Sequence, residues 1–258
     1  EEVGVVFRDD IALEDWRKAG ADVRGERVHL DRGLVKSLIK TIPSEITLHA
    51  RNPEKTVALG GRQSIFIPMT GAPYLRDLED VRRAPTLDDL ATFHKLAHML
   101  PAMHSSAHHI VEPMDHPISH RHLRITHSSM LYSDKTFMGM TTSGQNAEDV
   151  LDMCAILFGE EYLETHAVVT GNCNGNSPLV WDETMLSAMR AFNRRNQPVL
   201  CSPFVLGGAN TPASTVPTVA QLNAEALSAL AYTQVILPGC PAIYLSLIHI
   251  SEPTRLQD

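Results

Sequence analysis

The chain has 258 residues, 43% of them hydrophobic, and its 30 acidic against 22 basic side chains leave a formal charge of −8. That length holds one α/β barrel domain or two smaller ones with a large core, while the acidic balance without a basic stripe excludes phosphate backbones and anionic lipid as natural partners. No run of eighteen apolar residues is present, and the start EEVGVVFRDD lacks the basic region and apolar core of a signal peptide, so the expectation is a cytoplasmic protein with no membrane or nucleic-acid partner.

No Met precedes Glu1 and the first segment is already patterned, so the chain is expected to begin inside a longer protein. Ile11 to Ala19 is a short helical pattern, Val28 to Leu30 an extended piece, and Arg32 to Ile42 a helix with Leu34, Val35, Leu38 and Ile39 on one face, stopped by Pro43. Ile46 to Ala50 and Thr56 to Leu59 flank the turn-type Asn52-Pro53-Glu54-Lys55 and predict a hairpin, which Ser64 to Pro68 joins as a third strand. Residues 1–84 thus read as a small α+β N-terminal region.

From Pro85 the rhythm changes to strict alternation. Thr86 and Asp89 form a capping-box start for a helix through Leu87, Leu90, Phe93, Ala97 and Leu100. Ala107 to Glu112 predicts a strand, Ile118 to Tyr132 a helix, Thr136 to Thr141 a strand, and Ser143 caps a helix that Gly159 stops. His166 to Thr170 is the next strand; Asp182 then caps a helix with Arg190, Arg194 and Arg195 toward its carboxyl end. Pro198 to Val205 reads as a strand, Val219 to Tyr232 as a helix and Gln234 to Leu237 as a strand.

Five strands alternating with helices leave an open doubly wound sheet or a parallel barrel. No GxGxxG or GxxxxGK[ST] follows any strand, which removes the main support for a nucleotide-binding sheet. The fold class is α/β, and the predicted architecture a partial TIM (β/α)8 barrel over residues 85–244, about five of its eight strands. Residues 245–258 break the pattern: LSLIHISEPTR matches the translated end of a sequencing-library transposase adapter over eleven consecutive residues, so this tail is set aside as non-native.

Polar and small residues gather where barrel strands end, the face that carries active sites in this architecture. Glu112 ends the first barrel strand and either faces a cation or pairs with Arg121 or Arg124. Thr141 follows the second strand and Asn172 and Asn174 the third, in the GN-rich run GNCNGN. Gly207, Gly208, Asn210 and Thr211 follow the fourth, where paired glycines suit a tight turn or close approach of a large group. Nine of the thirteen histidines lie between His94 and His127, but no HExxH occurs and the pairs fall on helices and connections, so no metal site is assigned. The four cysteines, Cys154, Cys173, Cys201 and Cys240, match no CxxC spacing and fit small buried thiols.

The run from Gly171 to Tyr244, with PFVLGGANTPAS its most specific part, together with ARNPEKTVALGG and IPMTGAPYL, resembles the trimethylamine:corrinoid methyltransferase superfamily over most of residues 1–244. The resemblance implies a TIM-barrel enzyme of methylamine metabolism and methanogenesis. Such an enzyme moves a methyl group from a methylated amine, trimethylamine or a quaternary amine such as glycine betaine, to the Co(I) of a corrinoid (cobalamin). The corrinoid is carried by a small partner protein and not held tightly by this chain, and the full-length enzyme is expected to be a homo-oligomer. It casts Glu112, Thr141, Asn172 and Asn174 as substrate-binding and Gly207, Gly208, Asn210 and Thr211 as corrinoid-facing. Trimethylamine enzymes contain pyrrolysine at a position beyond what corresponds to Tyr244, so both substrate classes stay open. Two rival readings are a metal-dependent TIM-barrel hydrolase using the His94–His127 cluster, and a truncated piece with unpaired sheet edges and no activity of its own.

Overall fold

The computed structural model describes residues 2–245 and the backbone of 247–249; most of the adapter-like tail lies outside the described residues. Strand β1 (Val5–Arg8) leads into helix α1 (Asp10–Lys18), whose N-cap Asp9 accepts from the Ala12 amide at 2.7 Å. A hairpin of β2 (Asp22–Arg24) and β3 (Arg27–His29) precedes α2 (Arg32–Ile39), capped by Asp31. The expected hairpin forms from β4 (Glu45–Leu48) and β5 (Val57–Gly60), with Ile46 opposite Leu59, and a minimal ribbon of β6 (Leu75–Arg76) and β7 (Arg82–Arg83) follows. Helix α3 (Leu87–Met99) opens on the Thr86/Asp89 capping box that the sequence predicts, and α4 (Ile118–Tyr132) has its predicted bounds. Next come β8 (Phe137–Gly139), α5 (Gly144–Phe158) capped by Ser143, and α6 (Glu160–Thr165). The chain continues through β9 (Val169–Gly175), β10 (Val180–Asp182), α7 (Glu183–Arg194), β11 (Val199–Leu206), α8 (Thr215–Ile236) and β12 (Ala242–Tyr244). The backbone of Leu247–His249 runs parallel to Phe204–Leu206.

Several expected elements are not there, each for a local reason. Ser64 to Pro68 forms no strand: Phe66 bonds His104 instead, its amide to the ring Nδ1 at 3.0 Å and its carbonyl to the His104 amide at 2.8 Å. Ala107 to Glu112 makes no continuous ladder, because Ala107 takes φ +57° and interrupts the extended run; only bridges remain, such as Ala72 to Val111. Gln234 to Leu237 is the last turn of α8 and its cap rather than a strand. The Gln234 carboxamide fixes the turn that follows, donating to the Cys240 carbonyl and accepting from the Gly239 amide, both at 2.9 Å. The strand proper comes five residues later as β12. Asn172 and Asn174, expected in a loop, lie inside β9.

By their contacts the residues fall into two compact units that interleave along the chain: Glu1–Pro43, Asn172–Arg194 and Pro198–Asp258 make the first, Ser44–Gly171 and Arg195–Gln197 the second. In the first, a sheet runs in the order β10-β1-β3-β2, with β1 parallel to β10 and Phe7 opposite Trp181. Phe7, Trp16 and Tyr232 are fully buried, with ring centroids 5.5–5.8 Å apart, and make the aromatic centre of its core. Each such ring removes a large apolar area from water, which is the main driving force for the packing. The carboxyl half of β9 continues here, and β11 pairs in parallel with β12, Val199 opposite Ala242.

The second unit holds the β4–β5 hairpin and a parallel pair of β8 with the first half of β9, Phe137 opposite Val169 and Gly139 opposite Gly171. Leu90, Ile125, Leu151 and Leu163 fill its core from α3, α4, α5 and α6. The fold is thus mixed α/β with parallel strands. No helix among the described residues is long and apolar enough to cross a membrane.

Candidate active-site pocket

In an extended strand neighbouring side chains point to opposite faces, so Asn172 and Asn174 share one face of β9 and Cys173 takes the other. The Cys173 thiol donates to the Met185 carbonyl of α7 at 3.6 Å, which makes its face the helix-covered one. Cys201 of β11 lies beside Cys173 and Cys240, and burial pushes all three thiols up, Cys240 to about 12; the fourth, Cys154, is likewise buried and raised. None is an available nucleophile at neutral pH.

The other face carries polar chemistry. Asn174, Gly175, Asn176, Ser177, Phe204 and Asn210 line a cavity of about 300 Å³ where β9 and β11 end. Phe204 of this lining is 41% exposed as a residue. The Asn174 Oδ1 atom is buried and has no hydrogen-bond partner among the described residues, an arrangement native structures rarely leave without a purpose. The lining side chains are amides, a hydroxyl and a ring, none of them charged.

Each loop of this pocket is held by named groups. After β11, Asn210 closes its own turn: Oδ1 accepts from the Leu206 amide at 2.6 Å and Nδ2 donates to the Phe204 carbonyl at 2.9 Å. Thr211 donates to the Leu206 carbonyl at 3.1 Å. Gly208 sits at φ +81°, where a side chain is strained, whereas a Cβ on Gly207 would meet no atom of the described residues within 4 Å. After β9, Asn176 donates to Asp182, which also caps α7 through the Met185 amide at 2.9 Å. Ser177 and the Leu179 amide donate to Glu225 of α8 at 2.5 and 2.8 Å.

Of the residues singled out from sequence, the structure brings Asn174 and Asn210 to this pocket, with Gly207, Gly208 and Thr211 in the adjoining turn. Glu112 and Thr141 belong to the second unit. There Glu112 accepts from Arg121 Nη1 at 2.9 Å, the ion-paired alternative, and Thr141 is buried beyond β8. Ser177, Phe204 and Glu225 join the site from outside the set that the sequence singles out. The signal for Glu225 is an acidic residue at i+3 in the apolar stripe Leu222, Ala226, Ala229.

The histidine-rich segment also lies in the second unit. His94 is fully buried, with Nδ1 3.0 Å from Ser128 Oγ and Nε2 2.6 Å from the His108 carbonyl, and burial pushes it down to about 4. Burial holds His108 well below the usual range, while His122 sits 2.7 Å from Asp149. Among the described residues no three His, Cys, Asp or Glu side chains converge as a metal site requires.

Parallel α/β folds place their binding sites at the carboxyl edge of the sheet, and the amide-rich pocket lies at that edge here. The trimethylamine methyltransferase family model matches residues 1–249, and the chain belongs to that family. It is 41% identical over 253 residues to the glycine betaine methyltransferase of Desulfitobacterium hafniense, covering 98% of this chain and 53% of that protein. It is 28% identical over 257 residues to the proline betaine:corrinoid methyltransferase of Eubacterium limosum, covering 95% of this chain and 52% of that one. The chain therefore spans about half the length of these relatives. The crystal structure of the Methanosarcina barkeri monomethylamine methyltransferase superposes with TM-score 0.59 at 12% identity, over 95% of this chain and 61% of that one, a likeness of fold.

Proposed function

We propose that the full-length protein transfers a methyl group from a quaternary amine of the betaine type to the Co(I) of a corrinoid carried by a small partner protein, on a barrel of which this chain supplies the N-terminal region and the first strands. The observation that carries this reading is the 41% identity to a glycine betaine methyltransferase along nearly the whole chain.

The pocket chemistry agrees. A quaternary ammonium leaves as a neutral tertiary amine, so the reaction needs no general acid, and among the described residues no acid lines the cavity. Phe204 brings an aromatic ring to the lining for the cation, and amides of the Asn174 type offer dipoles for a carboxylate or for the ammonium methyls. Asn172, on the Asn174 face of β9, stands as a further substrate-binding candidate.

Fit to the corrinoid rests on the turn at Gly207, where a Cβ would meet no atom of the described residues within 4 Å. Gly207 and Gly208 would border the corrin, with Asn210 and Thr211 holding their turn in shape. When bound, the corrinoid supplies the Co(I) nucleophile. What this chain contributes is position: it fixes the amine among the amides and the ring of the pocket and keeps bulk away from the line of approach.

Titration calorimetry on the full-length protein tests the substrate class. Glycine betaine should bind with measurable heat and trimethylamine at least tenfold more weakly; the reverse order would overturn the quaternary-amine reading.

A further inference from the structure

We infer that Glu225 is the positioning residue that sets the two loops of the strand-end pocket against each other. The inference rests on the betaine-binding reading of that pocket. Glu225 lies in the middle of α8 and is fully buried. A buried carboxyl is retained only where donors satisfy it. Three converge here: Ser177 Oγ on Oε2 at 2.5 Å, and the Leu179 amide at 2.8 Å and Gln221 Nε2 at 2.9 Å on Oε1.

These donors come from both sides of the pocket. Ser177 and Leu179 belong to the loop after β9, and Ser177 itself lines the cavity beside Asn174 and Asn176. Gln221 reaches the other loop, its Nε2 also donating to the Asn210 carbonyl at 3.2 Å. Asn210 in turn grips the Leu206 amide and the Phe204 carbonyl, the backbone next to the exposed ring. One carboxyl on a long helix thus registers the β9 loop directly and the β11 turn through a single amide. The alignment of Asn174, Ser177 and Phe204 depends on it, although Glu225 itself does not line the cavity.

The test uses the full-length protein with Glu225→Gln, Ser177→Ala, Ser177→Thr, Gln221→Ala and the Ser177→Ala/Gln221→Ala double variant. The readouts are methyl transfer kinetics with glycine betaine and hydrogen exchange of residues 176–179 and 208–212. For folded Glu225→Gln we expect KM for betaine to rise at least tenfold, kcat to fall less than threefold, and exchange to quicken in both loops. Ser177→Ala and Gln221→Ala should each give part of the KM effect, the double variant nearly all of it, and Ser177→Thr should restore it. An unchanged KM in Glu225→Gln, or in both single-arm variants if Glu225→Gln does not fold, would overturn the inference. If the wild type turns over no methylated amine, the functional reading fails separately. Faster exchange in both loops would then still uphold the clamp, and unchanged exchange would refute it.

Discussion

Asp9 and Arg190, 181 positions apart, form a two-pronged ion pair: Nη1 to Oδ1 at 2.8 Å and Nη2 to Oδ2 at 2.6 Å, with side chains only 3% and 6% exposed. Asp9 caps α1 at the same time, and Arg190 also donates to the Tyr232 hydroxyl at 3.1 Å. Removing one partner leaves the other buried and unpaired, which costs about 3–5 kcal/mol. Arg190→Met should therefore lose stability on that scale in urea denaturation, and Asp9→Leu/Arg190→Met should recover much of the loss. A single-variant loss under about 1 kcal/mol would show that the pair does not anchor α1 to α7.

The α3 capping box yields a prediction with a sign in pH. Hydrogen bonds from Arg83 hold the Asp89 carboxyl well below its ordinary 3.8, with the Thr86 backbone and hydroxyl adding to the effect. A depressed carboxyl stabilises the fold above its unfolded value and loses that contribution as pH falls through the folded one. Asp89→Ala should cost about 0.5–2 kcal/mol at pH 7. The gap to wild type should narrow only in acid below about pH 4, as measured by denaturation at stepped pH.

His94 acts in a milder window. Its folded value near 4 lies below the ordinary 6.5, so on acidification the unfolded chain takes the proton first. Stability is full above about pH 7 and falls as pH drops through 6.5 toward 4, by about 3 kcal/mol from this residue at the end of the range. His94→Gln should start lower, because it loses packing and a bond, yet show a flatter slope between pH 6.5 and 5. An equally steep slope would assign the acid loss to other groups, such as His108, which shifts in the same direction.

Gly207 and Gly208 separate turn geometry from approach. Gly208→Ala meets the φ +81° strain and should destabilise by about 1 kcal/mol, whereas at Gly207 a Cβ meets no atom of the described residues within 4 Å and Gly207→Leu should leave the melting temperature within error. If the corrin approaches over this turn, Gly207→Leu should still cut methyl transfer tenfold or more. Normal transfer in Gly207→Leu would move the corrinoid elsewhere.

Local signals were legible in the sequence: the Thr86/Asp89 box, the Ser143 cap, the Asn52–Lys55 turn and the whole of α4. Each is decided within a few residues. Long-range pairing was not. Val5–Arg8 is the strand between β3 and β10, and nothing near Val5 announces the parallel partner Val180–Asp182. Ala107 hid its left-handed backbone in an apolar run that otherwise suits a strand. At the pocket, Asn174 and Asn210 were readable as polar residues near strand ends. The ring that lines it and the carboxyl that ties its loops were harder to read, since Phe204 looks like core and the acid at Glu225 within an apolar stripe names no partners until the fold brings Ser177 and Leu179 to it.

The most direct test of the central claim is the visible spectrum of the corrinoid partner, reduced to Co(I) and mixed with the full-length protein and one amine at a time. Glycine betaine is expected to convert Co(I) to methyl-Co(III) with release of one dimethylglycine per methyl transferred, at least a hundredfold faster than trimethylamine. Methylation by trimethylamine and not by glycine betaine, or by neither, would contradict the account.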